Sequence, residues 1–139
     1  MATTPRSGAA ALPVRPGEEH WTDSELADVR DQLKLEAAGL RADIAKAESE
    51  IADRLEDAVG DAGDDQADAG AKTFEREHEF ALTHNARDLL EQSERALARI
   101  DAGTYGVCES CGQPIGKARL MAFPRAMLCV TCKQREERR

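Results

Sequence analysis

Four cysteines constrain this chain more than any other feature. Cys108 and Cys111 form one pair with two residues between them, Cys129 and Cys132 form another, and seventeen residues separate the pairs. Each short pair is able to grip one side of a tetrahedral ion while the longer loop folds around it, which is the spacing of a structural zinc site. Gly112 follows Cys111, where a small residue lets backbone amides approach the thiolate sulfurs. Four thiolates close the coordination shell, so the site predicts one structural Zn2+ and no catalytic metal. Disulfides need an oxidising compartment that nothing else in the chain supports. A redox pair needs a thioredoxin-like strand–helix–strand context that is missing.

The rest of the chain reads as helix. Apolar residues recur at Leu26, Val29, Leu33, Ala37, Leu40, Ile44, Ala47, Ile51, Leu55 and Ala58, with spacings of mostly three and four. That is a coiled-coil seam, and it predicts a helix roughly 50 Å long at 1.5 Å per residue. Thr22-Asp23-Ser24-Glu25 fits a capping box at its start, with Trp21 and Leu26 at the two positions of a hydrophobic staple. Residues 56 to 70 hold six acids, three glycines and no base, a composition that favours turns. A second helix is expected from about Lys72 to Asp101, with a seam through Leu82, Ala86, Leu89, Ser93, Ala96 or Leu97, and Ile100. Gly103 closes it as a C′ residue.

The fold expected is therefore mostly α, a long antiparallel helical hairpin with an acidic tip and a small C-terminal zinc finger. Its parts are a disordered arm over residues 1–20, a hairpin over 21–103 with its tip at about 60–71, and a finger with a short basic tail over 104–139. The arm reading rests on three prolines, two glycines and no apolar period. The Gly-rich bend favours pairing within one chain, hence a monomer.

Composition narrows function. Apolar residues make up 41% of the chain, charged residues 33%, and the aromatics are one Trp, one Tyr and three Phe. This suits a narrow seam better than a large globular core. The net charge of −8 argues against whole-body attraction to nucleic acid. The charge is uneven, however. Residues 108–139 hold seven bases against three acids, leaving the preceding part at −12, a division suited to oriented docking on a protein partner. No stretch approaches the roughly 18 apolar residues of a membrane span, and the start lacks a signal-peptide core. The cytoplasm, where thiols stay reduced, is the expected compartment. No nucleophile–base pair or phosphate loop points to an enzyme.

The finger reads Thr104-Tyr105-Gly106, Cys108-Glu109-Ser110-Cys111, Ile115, Arg119, Pro124, Cys129 and Cys132. In these residues it resembles the DksA/TraR family of bacterial transcription factors. The resemblance implies a protein that binds RNA polymerase, inserts its hairpin into the secondary channel and alters the lifetime of promoter complexes in a bacterial stress response, without stable sequence-specific DNA binding.

The resemblance also implies roles for particular residues. The family's tip pattern, Asp-x-x-Asp-x-Ala, is matched by Asp65 and Asp68, with Gly70 in place of the alanine. Lys133 and Leu89 fit positions that in relatives contact guanosine tetraphosphate or polymerase. Phe123, Asn85 and Gln92 stand where bases would be expected, which implies little dependence on that nucleotide. Arg119 and Arg125 are read as contacts within the finger or to polymerase, and His78 and His84 as surface or seam-edge residues. The alternatives are a transcript-cleavage-type factor, a nucleic-acid-binding zinc ribbon with a helical dimerisation arm, and a structural coiled-coil adaptor.

Overall fold

The computed structural model of the chain describes residues 8–60 and 66–138, and the side chains of 57–60 and 66–69 lie outside the description. A 3-10 turn at Gly8–Ala11 precedes α1 (Asp23–Gly60), α2 (Gln66–Ala102), α3 (Lys117–Ala122) and α4 (Val130–Glu137). The chain divides into two compact units, Met1–Glu36 with Gln92–Arg139, and Ala37–Glu91.

The first helix starts where its sequence directs. The Glu25 N–H donates to Thr22 Oγ1 at 3.1 Å, and the Thr22 N–H donates to Glu25 Oε1 at 3.0 Å. Two amides that the first turn leaves without helical partners are thus satisfied reciprocally. The second helix ends on a left-handed glycine. Gly103 has φ 77°, its N–H reaches Ile100 O, and the Thr104 N–H reaches Arg99 O. This pair of bonds is a Schellman motif, and it turns the chain out of the helix toward the first cysteine pair.

In the first unit α1 and α2 are antiparallel, with Val29 and Leu33 of one helix and Ala96 and Ile100 of the other in a common buried core. Arg30 pairs with Asp101 at 3.2 Å along the edge of this seam. The second unit repeats the arrangement, with ion pairs Arg54–Glu79 and Arg87–Glu48. Its inward positions on α1, Leu40, Ile44, Ala47 and Ile51, are half-buried, and Ala37 is fully buried.

Expectations for α2 and for the N-terminal arm need correction. The α2 seam does not pass through Leu82, which is 57% exposed; Thr83 is buried in its place. The buried and half-buried positions of α2 include Glu79, Thr83, Ala86, Leu89 and Leu90 in the second unit and Ser93, Ala96, Leu97 and Ile100 in the first, and Leu82 falls one residue off the first of these sets. The Thr83 hydroxyl donates to Glu79 O at 2.9 Å, which lets a polar residue occupy the seam. The helix also begins at Gln66 rather than near Lys72, so residues 66–71 are helical, not bend.

The second correction concerns the N-terminal arm. Residues 8–20 are ordered against the finger. Ala9 and Leu12 are buried in the common core, and Pro13 lies against Gly106. Glu18 accepts from the Arg15, Lys117 and Ala118 N–H groups at 2.8, 2.9 and 3.0 Å. Burial pushes the Glu18 carboxyl up, but the backbone N–H groups of Ala118, Arg15 and Lys117 outweigh it and hold the group below its ordinary value of 4.5. The docking that Glu18 supports is therefore full above that value and lost as pH falls through its lowered folded value.

Leu33 and Leu35 give a direct check of the seam register, since Leu33 is 0% and Leu35 77% exposed. Leu33→Ala is expected to cost about 2–5 kcal/mol in urea unfolding and Leu35→Ala less than about 0.5 kcal/mol. Equal losses would refute the register.

Candidate metal centre

The first cysteine pair sits on a tight knuckle. A bridge between Val107 and Pro114 brings the chain back on itself, and the Cys108 N–H donates to Gln113 O at 2.8 Å. At its apex Gly112 takes φ 75°, and its N–H reaches Cys108 O at 3.0 Å. A side chain is strained in that left-handed conformation, which explains a glycine directly after Cys111. The second pair is carried by α4: Cys129 is its N-cap and Cys132 lies in its first turn.

The two pairs converge. All four Sγ atoms lie within 4.8 Å of one another, and Cys111 Sγ stands 3.8 Å from Cys129 Sγ. A tetrahedral zinc with Zn–S bonds of about 2.3 Å sets its sulfurs about 3.8 Å apart, the separation seen between Cys111 and Cys129, and all four thiols are close enough to close around one ion. The thiols do not ionise independently. Cys132 is pushed up to about 12, chiefly by its hydrogen bond with Cys129. Cys108 is lowered to about 6: burial raises it, but the backbone amides of Cys111, Cys129 and Ser110 outweigh burial. A dication is what makes four thiolates stable together. Cys108, Cys111, Cys129 and Cys132 would hold it, with no position open to substrate.

Side chains around the cage fasten it to the helices. Tyr105 is 2% exposed and donates its hydroxyl to Pro124 O at 2.8 Å. Burial raises its phenol well above the ordinary value, although Arg99 nearby lowers it. Its ring lies 6.1 Å from that of Trp21, tilted by 58°. The Gly106 carbonyl accepts from the Ile115 N–H at 2.8 Å, and a Cβ on Gly106 would meet Leu120 Cδ1 at 3.4 Å. The signature residues thus have structural jobs: Tyr105 and Ile115 are buried in one core with Leu120, and Arg119 donates Nε–H to Leu128 O at 3.2 Å.

Sequence reasoning missed Arg99. From the last turn of α2 its guanidinium donates to Thr104 O and Val107 O and approaches Met127 Sδ at 3.3 Å, tying helix to finger. Arg95, one turn earlier, pairs with Glu109 inside the first knuckle. The available signal was a base in the final turn of a helix, where the last carbonyls and the chain beyond them need donors.

The remaining expected residues are placed as follows. Asp65 lies outside the described residues, and Asp68 is on α2 with its side chain outside the description. Gly70 is exposed on the same helix, with open space around its Cα. Leu89 is half-buried on α2 in the second unit. Lys133 is on α4 in the first unit, 3.7 Å from Glu136. Arg125 pairs with Glu36 of α1 at 3.4 Å. His78 and His84 are exposed, and His84 lies 3.5 Å from Asp88. Among the described residues no helix is long and apolar enough to cross a membrane.

Residues 103–138 match the family model described as the prokaryotic dksA/traR C4-type zinc finger. The chain is 30% identical over 127 residues to the RNA polymerase-binding transcription factor DksA of Escherichia coli, covering 91% of this chain and 81% of that one. The protein of the same name from Caulobacter vibrioides is 40% identical over 75 residues, 54% of this chain and 53% of that one. Among solved structures, transcription factor DksA2 from Pseudomonas aeruginosa aligns with a TM-score of 0.66 and 32% identity, over 84% of this chain and 85% of that one. With the cage geometry, these matches make the four cysteines the ligands of one structural zinc.

Zinc analysis is expected to find one ion per chain. Chelation should free the finger and expose Trp21, shifting its emission to the red while far-UV circular dichroism keeps most of the helical signal. An unchanged Trp21 emission after complete zinc removal would contradict this account of the junction.

Proposed function

The chain belongs to the DksA/TraR family, and from that premise we propose that it is a non-enzymatic transcription regulator whose partner is RNA polymerase. The hairpin enters the secondary channel, and the carboxylates of Asp65 and Asp68 act at the catalytic end to alter promoter-complex lifetime. The observation that carries the reading is the finger itself. Its cysteine cage, Tyr105 and Arg99 join helix and head in a chain that aligns with 81% of a named polymerase-binding factor. The charge distribution supports a protein partner over DNA: four of the finger's bases, Lys117, Arg119, Arg125 and Lys133, are engaged with acids or a carbonyl of the chain itself.

That engagement bears on the nucleotide as well. Gln92, Phe123 and Lys133 line one groove of about 880 Å3 together with Arg95, Arg119 and Arg125. Arg95 is paired with Glu109, Arg125 with Glu36 and Lys133 with Glu136, while Arg119 serves Leu128 O. Phe123, 62% exposed, presents an apolar ring at the rim, 5.8 Å from the Arg119 guanidinium. A tetraphosphate needs several cations free to face it, and here each cation already has a partner. We infer a regulator that acts with little dependence on guanosine tetraphosphate.

Two outcomes are expected. In pull-down of native polymerase and in promoter-complex decay assays, Asp65→Asn/Asp68→Asn should bind within about threefold of wild type yet lose most of the kinetic effect. A double mutant that regulates normally would refute the tip mechanism. Adding guanosine tetraphosphate should change the wild-type effect by less than about twofold. A strong enhancement abolished by Lys133→Ala would refute nucleotide independence.

A further inference from the structure

Zinc held by four thiolates carries a net charge of −2, and Cys111 is an exposed ligand. What stands beside that exposed side comes from the other end of the sequence. A hollow of about 350 Å3 is lined by Arg15 and Pro16 of the N-terminal segment, Arg135 of α4, and the ligands Cys111, Cys129 and Cys132. Two guanidinium-bearing residues thus border a dianionic centre, and one belongs to a segment more than ninety residues away in sequence.

We propose that the N-terminal segment is part of the metal site, with Arg15 supplying counter-charge to the zinc–thiolate centre and Glu18 holding Arg15 in place. The geometry for holding it is specific. Glu18 Oε1 accepts the backbone N–H of both Arg15 and Lys117, and Oε2 accepts that of Ala118. One carboxylate therefore clamps the segment to the start of α3. The Glu18 N–H returns to Arg15 O at 3.0 Å, closing a tight turn around Pro16 and Gly17. Gly116, at φ 110°, lets the Arg15 stem lie flat against the finger, since a Cβ there would come within 2.9 Å of Arg15 Cδ. Leu12 and Ala9, both buried, anchor the other end of the segment.

The electrostatic consequence is direct. A guanidinium beside a dianionic zinc–thiolate centre stabilises the loaded cage by Coulomb attraction. The size of the effect depends on where Arg15 is held and on ionic strength. Arg15 is accordingly a positioning and counter-charge residue, not a ligand.

The test is the rate of zinc transfer from the zinc-loaded full chain to a chromogenic chelator. Arg15→Gln keeps most of the stem and removes the charge, and release should accelerate roughly tenfold at low salt. Arg15→Lys, which keeps the charge, should stay close to wild type. Glu18→Ala should behave like Arg15→Gln, and added salt should bring wild type toward both. Circular dichroism on each variant establishes that the helices persist. Wild-type release from Arg15→Gln, or equally fast release from Arg15→Lys and Arg15→Gln, would overturn the counter-charge role. Wild-type release from Glu18→Ala would overturn the clamp.

Discussion

A buried phenol has to find its hydrogen-bond partner inside the fold, and the partner of Tyr105 organises everything around it. Its hydroxyl reaches Pro124 O, in the loop between α3 and α4, while its ring stands against Trp21 just before α1. The residue itself follows the Gly103 turn at the end of α2 and precedes Cys108 by three positions. Three segments distant in sequence, around Trp21, Tyr105 and Pro124, thereby meet at one side chain. Losing that bond would leave the buried Pro124 carbonyl without this donor, at a typical cost of about 1–3 kcal/mol. The zinc cage holds the two knuckles together, but Tyr105 and Arg99 decide where those knuckles stand relative to the end of the hairpin.

This division of labour explains why so small a head is viable. The finger's own core comprises little more than Ile115, Leu120 and the cysteines, too few side chains to fold in isolation without the metal. It adds apolar contacts by borrowing Trp21 and Leu12 from the N-terminal side and Ile100 from α2. Lys117 joins the same junction with its charge: Nζ is 2.6 Å from Glu25, within reach of the His20 carbonyl and 5.9 Å from the Trp21 ring. That side chain lowers the Glu25 carboxyl below its ordinary value, with the Thr22 amide assisting, so the capping box and the finger stabilise each other.

Local patterns were legible in proportion to how local their causes are. The capping box, the Gly103 terminus and the three–four seam of α1 as far as Ile51 each arise within one helix and are present in the fold, whereas Leu55, expected in that seam, is 49% exposed and the Ala58 side chain lies outside the described residues. The cysteine spacing was readable because coordination geometry restricts it. The second seam was misplaced by one residue at Leu82, because a threonine that bonds its own helix backbone does not look like a seam position. Residues 8–20 were misread for a deeper reason. Their prolines and glycines satisfy every compositional sign of disorder, yet their order comes from a carboxylate accepting amides about a hundred residues away. No periodicity reports such a contact. Among the tip residues, Asp65 lies outside the described part of the fold, so its reading rests on the family pattern alone.

The misread segment also alters what the metal centre is. Read from sequence, the site is four cysteines and a loop, self-contained and placed wholly in the C-terminal quarter of the chain. In the fold Arg15 and Pro16 line the same hollow as its exposed ligand, and they are clamped to the same α3 start that carries Lys117 to Trp21 and Glu25. Strain at one of these contacts is therefore felt at the others. A perturbation that detaches residues 8–20 removes positive charge from beside the thiolates and apolar cover from Gly106 together. Zinc retention and the stability of the helix–finger junction are, on this argument, two readings of a single cooperative unit.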